Sequence, residues 1–394
     1  MINNSLMGSS SIFAHIAFIS VVTLEFVICV CGSSASGLKP CDFPAIFNFG
    51  DSNSDTGGLS AAFTPPPPPY GDTFFKRPSG RFSDGRLTID FIAEGLGIPY
   101  LHAYLDAVAP NFSTGANFAT AASTIVPLPD VLPLGGYSPF SLNVQYSQFI
   151  RLKNHSIIIN QLGGFFKGLL PKEEFYSRAL YTIDIGQNDI GAGLSETKSM
   201  QEIRDSPIPM IISNFSANVK SLYEEGGRSF WIHNTGPIGC LPYTFVPFPV
   251  ASSQIDSAGC AIPYNDVSQY FNQKLKEAVI QLRKDLPLAA ITYVDLYSIK
   301  YTLISQASKF GFEKPLVVCC GYGGHYNFNS QIRCGGTGEI NDTKVFVGSC
   351  QDPSKRINWD GVHYTEAANK WIYDQLVNGK FSDPPISLNM ACHR

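Results

Sequence analysis

Four short, apolar, β-rich runs recur along this chain, and helical patterns fill the intervals between them. Residues 45–49 end at Gly50 and residues 179–185 at Gly186. Residues 229–233 end at the turn Asn234-Thr235-Gly236-Pro237, and residues 290–295 lead straight into a helical pattern. Apolar side chains recur at helical spacing over 87–96, 213–223, 264–286, 297–308 and 365–377, the last with Thr365 as its N-cap. Strands that alternate with helices are joined by crossovers, which make them parallel and put helices on both faces of the sheet. The expected fold class is therefore α/β: a three-layer α/β/α arrangement around a central, mostly parallel sheet.

Nothing after the N-terminal leader marks a boundary between domains, and there are no internal repeats. The five prolines at 65–69 lie inside the first crossover and are too few for a linker, so they read as a rigid surface loop. Residues 317–349 are rich in Gly, Cys and Asn and read as a disulfide-tied loop. The expectation is one domain over residues 37–394.

Residues 1–36 read as a secretory signal. Residues 12–31 are mostly apolar, and Ser33-Ser34-Ala35 supplies small residues for cleavage. No Lys or Arg precedes Lys39 and Glu25 interrupts the run, which leaves an uncleaved N-terminal anchor as the alternative. No later stretch is apolar for long enough to span a bilayer, so no stable membrane insertion is expected once the signal is cleaved. Two of the ten cysteines, Cys29 and Cys31, fall in the leader, leaving Cys41, Cys240, Cys260, Cys319, Cys320, Cys334, Cys350 and Cys392. An even number suits disulfides in an oxidising compartment. A zinc site is the competing reading, but Cys319 and Cys320 are adjacent and no C-x-x-C pair occurs. Cys240 with Cys260 is the expected local pair; the other pairings stay open. Sequons at Asn111, Asn154, Asn214 and Asn341 agree with secretion to the extracellular space or cell wall, with the vacuole as a further destination.

A net charge of -4 provides no basic footprint for nucleic acid. The chemistry lies in three separated motifs. Asp360-Gly361-Val362-His363 stands just before the last helical pattern, and a carboxylate three residues ahead of an imidazole can hold it in one tautomer. Ser52 follows the first strand, where a strand-to-helix turn would expose its oxygen and aim its N–H at a developing oxyanion. Asn188 follows the second strand and has a side-chain amide to donate. In open parallel sheets ligands bind beyond the carboxyl ends of strands, so all three fall on one predicted face. Each also has a plainer reading: an N-cap serine, a turn-capping Asp360, a turn residue at Asn188. His233 and His325 read as structural.

Together the motifs resemble the plant GDSL-type esterase/lipases of the SGNH hydrolase superfamily. The segments that carry the resemblance are Phe47-Asn48-Phe49-Gly50-Asp51-Ser52, Gly115-Ala116-Asn117-Phe118-Ala119, Ile185-Gly186-Gln187-Asn188-Asp189 and Asp360-Gly361-Val362-His363, in that order from about residue 43 to 377. Residues 80–86 also look like the plant branch. The resemblance implies a flavodoxin-like SGNH hydrolase fold. It implies a Ser52, His363, Asp360 triad, and an oxyanion hole from the Ser52 N–H, the Asn188 amide and a backbone N–H assigned to Ala121. The chain departs from the family pattern in having Asn53 after the serine, and Ala121-Ala122 where many members have Gly.

The expected function is that of a secreted serine ester hydrolase. It would act without cofactor or metal on a small-molecule or polysaccharide ester, removing acetyl or short acyl groups from glycans or plant metabolites. Acyl transfer to another alcohol, or lipase action on longer chains, would use the same residues, although no long apolar-faced lid helix is evident. A secreted carbohydrate-binding glycoprotein with an unassembled triad is the non-enzymatic alternative.

Overall fold

Gly50, at the end of the first strand, lies so close to the third that a Cβ there would come within 2.5 Å of the Asp184 carbonyl oxygen. Around this tight seam the chain builds its central sheet, described here in a computed structural model covering residues 39–132, 136–196, 198–340 and 343–393. The expected leader and the sequon at Asn341 lie outside the described residues.

The strands of the central sheet are β1 (Ile46–Gly50), β2 (Gly115–Asn117), β3 (Leu180–Asp184), β4 (Ser229–His233) and β5 (Ala290–Val294), closed by a short edge strand near the C-terminus (Ser382–Asp383). Their order is β2-β1-β3-β4-β5-edge; β1 to β5 are parallel and the edge strand runs antiparallel to β5. Seven helices of eight or more residues occur among the described residues: α1 (Thr88–Gly95), α2 (Leu142–Leu162), α3 (Gln187–Ser195), α4 (Pro207–Glu224), α5 (Ile262–Asp285), α6 (Leu296–Ser305) and α7 (Glu366–Leu376).

Side chains alternate across each strand, so each strand feeds two cores. Phe47, Phe49, Tyr181 and Phe230 face one core, where α2, α4 and α5 contribute Phe149, Phe215 and Phe271. Ile46, Leu180 and Trp231 face the other, where α1, α6 and α7 contribute Ile92, Ile299 and Ile372. This is the three-layer α/β/α arrangement expected from the alternation of strands and helices. Thr365 caps α7 as expected, its side chain accepting from the Ala368 N–H.

Two elements had no clear sequence signal. β2 is three residues long, too short for alternation to register. α2 buries Leu142, Gln145, Phe149, Leu152 and Ser156. Two of those five are polar, so its buried stripe is not an apolar one. Gln145 and Ser156 are hydrogen-bonded, to Gly50 and to the Tyr176 hydroxyl.

All eight described cysteines are in disulfides, Cys41–Cys392, Cys240–Cys260, Cys319–Cys350 and Cys320–Cys334. The Cys240–Cys260 pair is the one expected. The region read as a disulfide-tied loop holds Cys320–Cys334, is tied at its start by Cys319 to Cys350 just past its end, and carries a small hairpin, Thr337–Ile340 with Thr343–Phe346. The sequon residues Asn111, Asn154 and Asn214 are exposed.

Candidate active site

Ser52 sits on a turn pinned from three sides. The Gln145 side chain accepts from the Gly50 N–H at 2.9 Å and donates to the Gly50 carbonyl at 2.8 Å. The Asp51 N–H donates to the Asp184 carbonyl, and the Ser54 N–H returns to the Asp51 carbonyl, both at 3.1 Å. No helix starts at Ser52. The next one begins at Gly58, and Asp55 caps it, its carboxylate accepting from the Gly57, Gly58 and Leu59 amides. The plainer reading of Ser52 as an N-cap is thus not what the turn is for. The serine is 5% exposed.

Asp360 and His363 share a tight loop whose ends are bridged at Asn358 and Tyr364. Asp360 Oδ2 lies 2.6 Å from His363 Nδ1, and Oδ1 accepts from the Val362 and His363 amides at 3.0 and 2.9 Å. Holding the proton on Nδ1 leaves the lone pair on Nε2, which is buried and without a hydrogen-bond partner among the described residues. Burial alone would raise the Asp360 carboxyl. The His363 charge and the hydrogen bonds from His363 and Val362 outweigh it and hold the group at about 2. Gly361 adopts φ 102°, and a Cβ there would meet the Phe328 ring at 2.4 Å, so this loop requires glycine.

Tyr70 is a participant the sequence did not reveal. Its hydroxyl donates to Asp360 Oδ2 at 2.7 Å. Burial first, then the Asp360 charge, push the phenol well above its usual range, so it stays a donor. The residue closes the five-proline run, and its ring packs against Trp359 and Phe82. A lone tyrosine after a rigid loop was the only local signal.

Asn188, in the first turn of α3, donates to the Ser123 carbonyl at 2.9 Å, which leaves its second amide hydrogen unused. Its neighbour Asp189 accepts from the Ile125 and Val126 amides and so ties α3 to the segment after β2. Ala121 requires a correction. Its N–H donates to Asp55 Oδ2 at 2.7 Å and is not available to an oxyanion. The next amide, Ala122, has no partner among the described residues, and neither has the Ser52 N–H. Ala122 adopts φ 62°, a left-handed conformation that glycine enters without strain.

Ser52, Ala122, Asn188 and His363 line one cavity of about 480 Å³. Leu194, Ile238, Leu241 and Phe248 give it apolar walls; Gln187, Tyr137, Tyr243 and Arg333 give it polar ones. No Asp or Glu is among the described residues that line it. Arg333 comes from the disulfide-tied loop and was not foreseen.

A buried charged cluster lies beneath the serine turn. His233 Nδ1 is 3.1 Å from Asp184 Oδ2, and Lys300 of α6 is only 5% exposed. Burial would raise Asp184, but the His233 hydrogen bond and charge, with Lys300, hold it low. Burial first, then the Asp184 charge, push Asp51 up to about 7. His233 pairs with Asp184 and is not among the residues lining the cavity, and His325 packs edge-on against Tyr326.

Chemistry gathered at the carboxyl edge of a parallel sheet, on a hydroxyl, an imidazole and unpaired amides, is that of the three-layer α/β ester hydrolases. The family comparison is more specific. Residues 46–376 match the GDSL-like lipase/acylhydrolase family, so the chain belongs to that family and hydrolyses ester bonds. It is 56% identical to an esterase of Hevea brasiliensis, over 95% of both chains. It is 51% identical to the GDSL esterase/lipase ENOD8 of Medicago truncatula, over 98% of this chain and 99% of that one. It is also 52% identical to alpha-L-fucosidase 3 of Arabidopsis thaliana, over 92% and 95%. Among solved structures, an acetyl xylan esterase from Geobacillus stearothermophilus aligns over 69% of this chain and 83% of its own at 13% identity and a TM-score of 0.29, too slight a likeness to carry an argument.

Proposed function

We propose that this chain is a secreted serine esterase that removes acetyl or other short acyl groups from glycans or small plant metabolites, through one catalytic domain that follows a cleaved leader. The observation that carries the mechanism is that Ser52 and an Asp360-held His363, from opposite ends of the chain, line one cavity. Four disulfides support the secretory route.

His363 Nε2 takes the Ser52 proton as the serine oxygen attacks the ester carbonyl. The Ser52 and Ala122 N–H groups and the free Asn188 amide hydrogen receive the oxyanion. His363 then protonates the leaving alcohol, and water attacks the acyl-serine by the same route. Asp360, ionised throughout the neutral range, stabilises the imidazolium that forms at each step. The polar wall of Gln187, Tyr137, Tyr243 and Arg333 suits a hydroxyl-rich alcohol portion better than a long acyl chain. A glycosidase requires two carboxylates flanking the bond to be cut, and none is among the described residues that line this cavity.

Ser52→Ala should abolish hydrolysis of p-nitrophenyl acetate, and a fluorophosphonate probe should label the wild type and not the variant. Hydrolysis by Ser52→Ala at the wild-type rate would refute the triad. An acyl series from C2 to C16, run beside acetylated polysaccharide, separates short-acyl esterase from lipase.

A further inference from the structure

A second cavity, of about 430 Å³, shares no lining residue with the catalytic one. α2 spans the distance between them. Gln145 in its first turn holds Gly50 of the serine turn, while Leu152, His155 and Ile159 of its later turns line the second cavity. At 1.5 Å per residue, Gln145 and Ile159 are roughly 20 Å apart along the helix axis. The walls are mostly apolar, with Phe112, Leu152, Ile159 and Leu170 prominent. Three residues that carry polar groups are among the lining: Arg151, His155 and Tyr104. None of these side chains has a hydrogen bond or ion pair among the described residues, and Arg151 is exposed. Next to lining residues along the chain, or within three positions of one, are the most exposed large apolar side chains of the molecule's described part, Val108 and Phe165 at 81% and Leu162 at 77%. Phe166, itself a lining residue, is 63% exposed.

A concave apolar site with a few convergent polar groups is what a small ligand needs, and these groups define its chemistry. A sugar would leave the apolar walls unused, and a neutral hydrocarbon would leave the cation unused. A carboxylate on an apolar body uses both, because guanidinium pairs with carboxylate through charge-assisted hydrogen bonds. We propose that this cavity is a binding site for an apolar monocarboxylic acid, with the carboxylate on Arg151 and the apolar body along the α2 wall. It is separate from the ester-cleaving site and stands whether or not Ser52 is the nucleophile.

The test is calorimetric titration of the full disulfide-bonded protein with decanoate and with 1-decanol, both below micellar concentration. Decanoate should bind saturably and more tightly than decanol. Arg151→Gln should weaken decanoate about tenfold or more, as expected for the loss of one charge-assisted pair. The same change should leave decanol unaffected, and Arg151→Lys should restore part of the loss. Phe166→Ala, at a side chain too exposed to threaten folding, should weaken both ligands. Absence of saturable decanoate binding, decanol binding as tightly as decanoate, or decanoate binding indifferent to Arg151→Gln would each overturn the proposal.

Discussion

At the scale of single residues, the imidazole depends on groups behind it. Asp360 fixes the His363 tautomer with one carboxylate oxygen, and that same oxygen accepts the Tyr70 hydroxyl. Tyr70 thus acts through Asp360 and is a positioning residue. Tyr70→Phe keeps the ring packing on Trp359 and Phe82 and removes only the hydrogen bond. A hydrogen bond to a charged group contributes about 1.5 to 3 kcal/mol. Part of that should appear in the rate, with kcat falling about tenfold and KM unchanged. Steady-state kinetics on p-nitrophenyl acetate checks this; a change confined to KM would contradict it. The Ala121 and Ala122 amides show how little separates two roles. They are adjacent, yet Asp55 takes the first and leaves the second free.

At the scale of elements, the serine turn is held by a helix the sequence did not announce. α2 has no clean apolar stripe because Gln145 occupies one of its buried positions, and that residue grips both backbone groups of Gly50. Gln145→Ala loses its two bonds to Gly50 and one to the Phe140 carbonyl, and it leaves the buried Gly50 N–H unpaired, while the Gly50 carbonyl keeps the Thr120 N–H. The expected cost is about 2 to 4 kcal/mol of stability, with kcat reduced because the turn carrying Ser52 loosens. Urea unfolding and kcat measured on the same sample check both effects. Unchanged stability would mean that the two bonds are replaced by water.

For the whole molecule, stability should follow pH through opposing carboxylates. Asp51 and Asp189 are pushed up to about 7, each mainly by burial. Their unfolded values lie near 4, so the unfolded chain gives up these protons first. Their contribution is full below about pH 4 and is lost as pH rises toward 7. Asp360 works the other way. Held at about 2, it contributes fully above about pH 4 and loses that contribution as pH falls toward 2. The melting temperature should therefore be higher near pH 5 than near pH 8, and should fall steeply below pH 4. Asp51→Asn, which removes one of the raised groups, should narrow the difference between pH 5 and pH 8. Parallel melting curves for wild type and variant would show that Asp51 does not titrate in that window.

The amino-acid sequence by itself determined the layered α/β architecture, because four strand-like runs separated by helical patterns can only be joined by crossovers. It favoured one local cysteine pair, Cys240 with Cys260, which the structure forms, and it brought Ser52, Asn188, Asp360 and His363 forward as one set, since each sits at a turn that a short local pattern marks. The tertiary structure decided what depends on contacts between distant segments. Tyr70 reaches Asp360 across 290 positions, and Gln145 reaches Gly50 across 95. Lys300 is buried where its helix pattern gives no warning, and Arg333 reaches the cavity on a loop positioned by two disulfides. The free amide at Ala122 was decided there too, by a carboxylate 66 residues from its neighbour Ala121. A local pattern records what a residue needs from its own turn, whereas hydrogen bonds between segments leave no period in the sequence to read.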